Sequence, residues 1–265
     1  MLTKLLKYEA KTTARVLLPI GGGVLAFTLV TGVVNFILGQ SASLPQGAEW
    51  LRDLMLVVDV LALIFVLGAG VFVNVQRFYK LLGEQGYLML SLPVPVWQHI
   101  TAKLICACLW SVVGFLYFVG GIWILNVSMA SFSFGTVSLG LTPEEWLPCL
   151  LVLVLLLVLV ASSYLEAYLA CAIGAQFGQQ RLLASIVVFF VLGFIQQILA
   201  SVLLLVGTLG AMRIGVQTWL PLFLQADTYW TGLVLLVLAV VLSALVAAIK
   251  WVITQWLMTR RLNLV

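Results

Sequence analysis

Residues 77–103, RFYKLLGEQGYLMLSLPVPVWQHITAK, form the longest polar interruption in the chain, and the apolar segments on either side of it decide the fold. Each flanking run, about 54–75 before it and 100–127 after it, reaches the ~20 residues needed to cross a bilayer core. The interruption carries Arg77, Lys80 and Lys103, the sole histidine (His99) and a helix-stopping Pro93-Val94-Pro95. Between these lies Gly83-Glu84-Gln85-Gly86-Tyr87, where two glycines free the backbone to turn or to approach another surface closely.

Working outward, the same pattern repeats. The chain is 64% hydrophobic and only 8% charged, with a mean hydropathy of +1.22, whereas soluble domains carry about 25% charged residues. Continuous apolar runs, rather than ~10-residue alternating segments, exclude a transmembrane barrel. The reading is an all-α polytopic membrane protein with six transmembrane helices, near 16–39, 54–75, 100–127, 146–173, 182–207 and 233–257. Residues 16–257 thus form one membrane domain, 258–265 (MTRRLNLV) a tail, and 76–99 the central loop. Pro19 falls in the first turn of the first span on this division, and Gly21-Gly22-Gly23 follow as a site of close helix approach.

Residues 1–15, MLTKLLKYEAKTTAR, space Lys4, Lys7, Lys11 and Arg15 on one helical face and Leu2, Leu5, Leu6, Ala10 and Thr13 largely on the other. They read as an N-terminal interfacial helix with its basic face toward anionic membrane lipid, the plainer reading being a basic flank that sets topology. Residues 208–232 are oddly apolar for a loop and hold Trp219, Pro221, Phe223 and Trp230, which suggests an outer re-entrant segment.

Orientation follows from the basic residues. The N-terminal segment, the central loop through Lys103, the turn at Arg181 and the end with Lys250, Arg260 and Arg261 share one side; Arg52 and Arg213 stand alone on the other. This places both termini in the cytoplasm of a multi-pass protein of the cell membrane. Basic residues at helix ends are an orientation signal, so the net charge of +4 does not point to nucleic acid.

Chemistry is sparse. Cys106, Cys108, Cys149 and Cys171 form no CxxC pair and read as packing residues, and one histidine cannot complete a zinc site. There is no HExxH, GxSxG or GxxxxGK[ST], so an enzyme is not expected, nor a nucleotide-binding loop of its own. Two acids lie within spans, where a carboxylate costs roughly 2.5–3.5 kcal/mol on insertion scales. Asp59 is read as snorkelling or pairing with Arg52 or Arg213. For Glu166, flanked by Tyr164 and Tyr168, a polar translocation path and an inter-helix contact or pair with Lys250 both stand.

The run Arg77-Phe78-Tyr79-Lys80-Leu81-Leu82, then Gly86-Tyr87-Leu88-Met89, Ser91-Leu92-Pro93-Val94 and Lys103, resembles the first cytoplasmic loop of ATP-binding-cassette (ABC) exporter permeases of the type-2 efflux class, above all the small six-helix permeases of Gram-positive bacteria. Leu2-Thr3-Lys4-Leu5-Leu6-Lys7-Tyr8-Glu9 and Arg260-Arg261-Leu262-Asn263-Leu264 look like that group's ends. One departure stands out: Gln85 occupies the place before Gly-Tyr where that group has an acid, with Glu84 one position earlier. The resemblance implies a permease subunit of an ATP-driven exporter, with a cytoplasmic coupling helix bearing Arg77, Lys80, Glu84, Gly86, Tyr87 and Leu88. It implies as partners a separate ABC ATPase subunit, which holds ATP and Mg, and a second permease chain, identical or related; this chain itself needs no cofactor. Few charged residues within the spans suit a hydrophobic or amphipathic cargo: a peptide, lipid or drug. The competing class is a six-helix sensor or assembly protein whose loop docks another cytoplasmic protein.

Overall fold

In the computed structural model, residues 2–39, 46–82, 95–128, 146–177, 180–213 and 228–260 are described. They form six helices: α1 Leu2–Gly39, α2 Gln46–Leu81, α3 Val96–Ser128, α4 Trp146–Gly174, α5 Arg181–Arg213 and α6 Thr228–Arg260. All six are long and apolar enough to cross a membrane. With 29–38 residues each, they measure about 44–57 Å at 1.5 Å per residue, longer than a ~30 Å hydrocarbon core. The chain is an all-α, six-helix polytopic membrane protein.

Burial is inverted relative to a soluble globule. Thr13, Thr28, Thr31, Asn35, Asp59, Asn74, His99 and Lys103 are buried, while Phe65, Phe72, Leu116, Phe194 and Ile198 face outward. In lipid, outward apolar side chains cost nothing, and polar groups must find partners inside the protein.

The helices exceed their apolar runs, and the packing explains why. No break separates an interfacial helix from the first span: α1 is continuous from Leu2. Its buried positions Thr13, Leu17, Gly21, Thr28, Thr31 and Asn35 recur at helical spacing, so the stripe of the first fifteen residues stays in phase with that of the span. Pro19 therefore lies well inside the helix, not in its first turn, and leaves the Arg15 carbonyl without its usual helical donor. Likewise α2 runs to Leu81 instead of ending near 75, because Asn74, Phe78 and Leu81 extend the buried row begun by Asp59, Leu63 and Val66. Helix α3 starts directly after Pro95. Residues 83–94, most of 208–232 and the end of the tail lie outside the described residues.

The chain divides into two compact units, Met1–Arg77 with Gln98–Gly140, and Phe78–Trp97 with Leu141–Val265. In the first, positions 9, 28 and 35 of α1 meet 77, 59 and 52 of α2, an antiparallel pairing. Positions 9, 13 and 21 of α1 meet 103, 106 and 117 of α3, so those two run parallel. Of the glycine triplet, Gly21 lies against the Tyr117 ring, while Gly22 and Gly23 face open space.

In the second unit α4 packs on both α5 and α6. Gly174, at the end of α4, lies so close to α5 that a Cβ there would sit 2.7 Å from the Cα and N of Ser185. Backbone cannot yield as a flexible side chain does, so Gly174→Ala is expected to lower stability by about 1–3 kcal/mol, seen as earlier thermal unfolding in detergent. An unchanged unfolding temperature would mean that this helix end parts freely. Gly178, the other half of the expected close-contact motif, is outside the described residues.

Candidate functional site

Glu9 joins three helices. Its Oε1 accepts from Lys103 Nζ of α3 at 2.7 Å, and its Oε2 pairs with Arg77 Nη1 of α2 at 3.3 Å. The same Arg77 nitrogen donates to Thr13 Oγ1 at 2.7 Å and to the Glu9 carbonyl at 3.3 Å. Lys103 is only 8% exposed and Glu9 14%. A buried ion pair persists where further hydrogen bonds complete it, and Thr13 with the Glu9 carbonyl does that for Arg77. Two cations share one carboxylate, so the cluster carries a net positive charge. One turn before Lys103, His99 is buried with Nε2 lacking a protein partner.

Arg77 therefore turns inward and braces its own unit, whereas Lys80, a turn further on, is exposed. Phe78 is fully buried and stacks on Tyr168 within the second unit, with ring centroids 3.9 Å apart. Glu84, Gly86, Tyr87 and Leu88 lie outside the described residues.

Lys250 does for the second unit what Glu9 does for the first. Its ammonium lies 2.8 Å from Glu166 Oε2 of α4, 3.2 Å from Ser162 Oγ of α4 and 2.7 Å from Gln196 Oε1 of α5. An ammonium has three donors, and three acceptors surround it. Gly193 of α5 lies beside Glu166, where a Cβ would make an ordinary contact, 3.5 Å from Oε1. Glu166 is thus an inter-helix contact in this conformation, and Lys250 is a packed member of the bundle instead of an orientation marker. The orientation argument keeps its remaining cations.

Asp59 does not pair with Arg52, the first of the two arginines named for it; the side chain of Arg213 lies outside what is described. Asp59 is fully buried, and its Oδ1 lies 2.9 Å from Thr28 Oγ1 of α1. Arg52 instead donates from Nε to Asn35 Oδ1 at 3.0 Å. Burial leaves no route by which Asp59 could snorkel.

Sequence reasoning passed over Glu9 as a bridging residue, although a signal existed. On a helical wheel Glu9 falls amid Leu2, Leu5, Leu6 and Thr13, opposite the lysines. An acid on the apolar face of a basic helix calls for a cation inside the bundle.

Among the described residues no group of three or more His, Cys, Asp or Glu side chains is arranged to hold a metal ion. Cys106 and Cys171 are buried, Cys108 is half-buried and Cys149 is exposed; all four thiols are free. No family model matches this chain, nor does any curated protein or solved structure.

Proposed function

We propose that this chain is the membrane-spanning permease subunit of an ATP-driven ABC exporter, moving a hydrophobic or amphipathic substrate outward. The observation that carries the reading is six membrane-length helices interrupted, between the second and third, by a basic segment of the resembling pattern. The ion pairs add a mechanical reason. Arg77 and Lys103, at the two borders of that segment, are both clamped to Glu9 of α1. A push on the segment is then transmitted into three helices at once, as rigid-body switching between inward-open and outward-open states requires.

On this reading ATP and Mg belong to a separate cytoplasmic ATPase, and the permease catalyses nothing itself. Two permease chains, identical or related, enclose the route across the cell membrane. Both termini are cytoplasmic, because the basic residues gather on that side.

The test is a mild-detergent pull-down of the tagged protein, followed by mass spectrometry and an ATPase assay. An ATPase subunit at equal stoichiometry is the expected result. A well-folded complex that contains no ATPase would overturn the reading in favour of a sensor or assembly protein. In the recovered complex, Glu84→Lys and Gly86→Pro are expected to abolish substrate-stimulated ATP hydrolysis while expression is kept. Normal stimulation in both variants would leave the segment a plain connector.

A further inference from the structure

Every other membrane-embedded charge described above has a polar or ionic partner that accounts for it. Glu9 takes Arg77 and Lys103, Glu166 takes Lys250, and Arg52 takes Asn35. Asp59 has only a threonine. Its second oxygen, Oδ2, is buried without a hydrogen-bond partner. An unpaired carboxylate in an apolar medium is so costly that such a group neutralises instead.

The local hydrogen bonds point the same way. Thr28 Oγ1 lies 3.0 Å from the Val24 carbonyl and 2.9 Å from Asp59 Oδ1. A hydroxyl has one hydrogen and cannot donate to both. With a proton on Asp59 Oδ1 the conflict disappears: the acid donates to Thr28, and Thr28 donates to Val24. Among the described residues no titratable side chain is in contact with Asp59. Thr28 meets it from α1, and the pairing of Gly121 with Leu63 brings the buried Leu125 of α3 to its level. On its own helix Arg52, two turns away, is engaged with Asn35, and Asp53, six residues away, is exposed.

The α1–α2 seam is unequal on the two sides of Asp59. Toward Arg52 it is polar, with Thr31 and Asn35 buried and Asn35 Nδ2 a second atom lacking a partner. Toward Glu9 it is closed by Leu17, Gly21, Leu63 and Val66, all buried. Water entering from the Arg52 end meets hydrogen-bonding groups; from the Glu9 end it meets hydrocarbon.

We propose that Asp59 is an intramembrane proton-binding site, loaded in this conformation and reached by water along the Thr31–Asn35–Arg52 side of the α1–α2 seam. On release the Asp59 O–H bond breaks, its electron pair stays on Oδ1, and the proton passes to water. The Thr28 hydroxyl then swings from Val24 to the new carboxylate. The ligand is a proton, and the site goes beyond the exporter reading without depending on it.

The test compares the purified wild-type chain with Asp59→Asn and Thr28→Ala in lipid vesicles by infrared spectroscopy at neutral pH. The wild type is expected to show the C=O band of a protonated carboxyl group, because the other span acids are ion-paired. Asp59→Asn should lose that band while folding normally, since its amide N–H replaces the acid proton as donor to Thr28. Thr28→Ala should keep the band at a shifted frequency, which preserves the test if the asparagine variant misfolds. Raising the pH should abolish the band and release a single proton more per wild-type chain than per Asp59→Asn chain. Wild-type and Asp59→Asn spectra alike in the carboxyl region would overturn the site. A band that never shifts in heavy water would overturn the water route.

Discussion

Glu9→Gln is expected to destabilise the first unit by about 3–5 kcal/mol, because it strands two cations in a site built around one carboxylate. Lys103 is the more buried of the pair, at 8% exposure against 21% for Arg77, so most of the cost falls on it. The measurement is thermal or detergent-induced unfolding of the purified protein. Glu9→Gln combined with Lys103→Gln removes the stranded charge together with its partner, and should cost clearly less than the two single changes added. A loss below about 1 kcal/mol for Glu9→Gln is what an exposed pair gives, and would show the cluster to be wet and loose. Within the proposed function, the same variant should weaken the response of ATP hydrolysis to substrate, since α1 would no longer be tied to both borders of the coupling segment.

Glu166→Gln should cost the second unit about 2.5–3.5 kcal/mol, the insertion-scale cost of a charge left unpaired within the hydrocarbon. Lys250 would keep Ser162 and Gln196 as acceptors but lose the anion that pairs with it. Lys250→Met alone should be comparably harmful, leaving the Glu166 carboxylate without its cation. The double variant Glu166→Gln/Lys250→Met, free of both charges, is expected to unfold near the wild-type temperature. If it is as unstable as either single change, the cluster works through packing instead of charge. Within the proposed function the double variant also bears on export: a wild-type rate would mean that the pair only ties α4, α5 and α6 together.

Reading membrane spans from this sequence succeeded where one physical quantity decides. Apolar run length places α4 at Trp146–Gly174 almost residue for residue, because its ends coincide with the ends of its apolar run. Ends set by packing were less legible. Helix α2 passes its apolar run by a turn and a half, through Arg77 and Lys80, since Phe78 and Leu81 still face inward. For the same reason the boundary expected at residue 15 is absent: the packing stripe runs through it.

Polar residues divided in the same way. The sequence alone establishes that Glu166 needs a partner and names Lys250 as a candidate, because few charges exist within the spans. It establishes equally that the chain crosses the membrane six times, since hydrocarbon admits no other solution for runs so long and so apolar. Only the tertiary structure decided that Glu9 draws in both Arg77 and Lys103, and that Arg52 prefers Asn35 and leaves Asp59 to Thr28. Which charge finds which partner depends on helix register and rotation, and these are set by packing between helices such as Gly21 against Tyr117 and Gly174 against Ser185. Hydropathy carries no information about either.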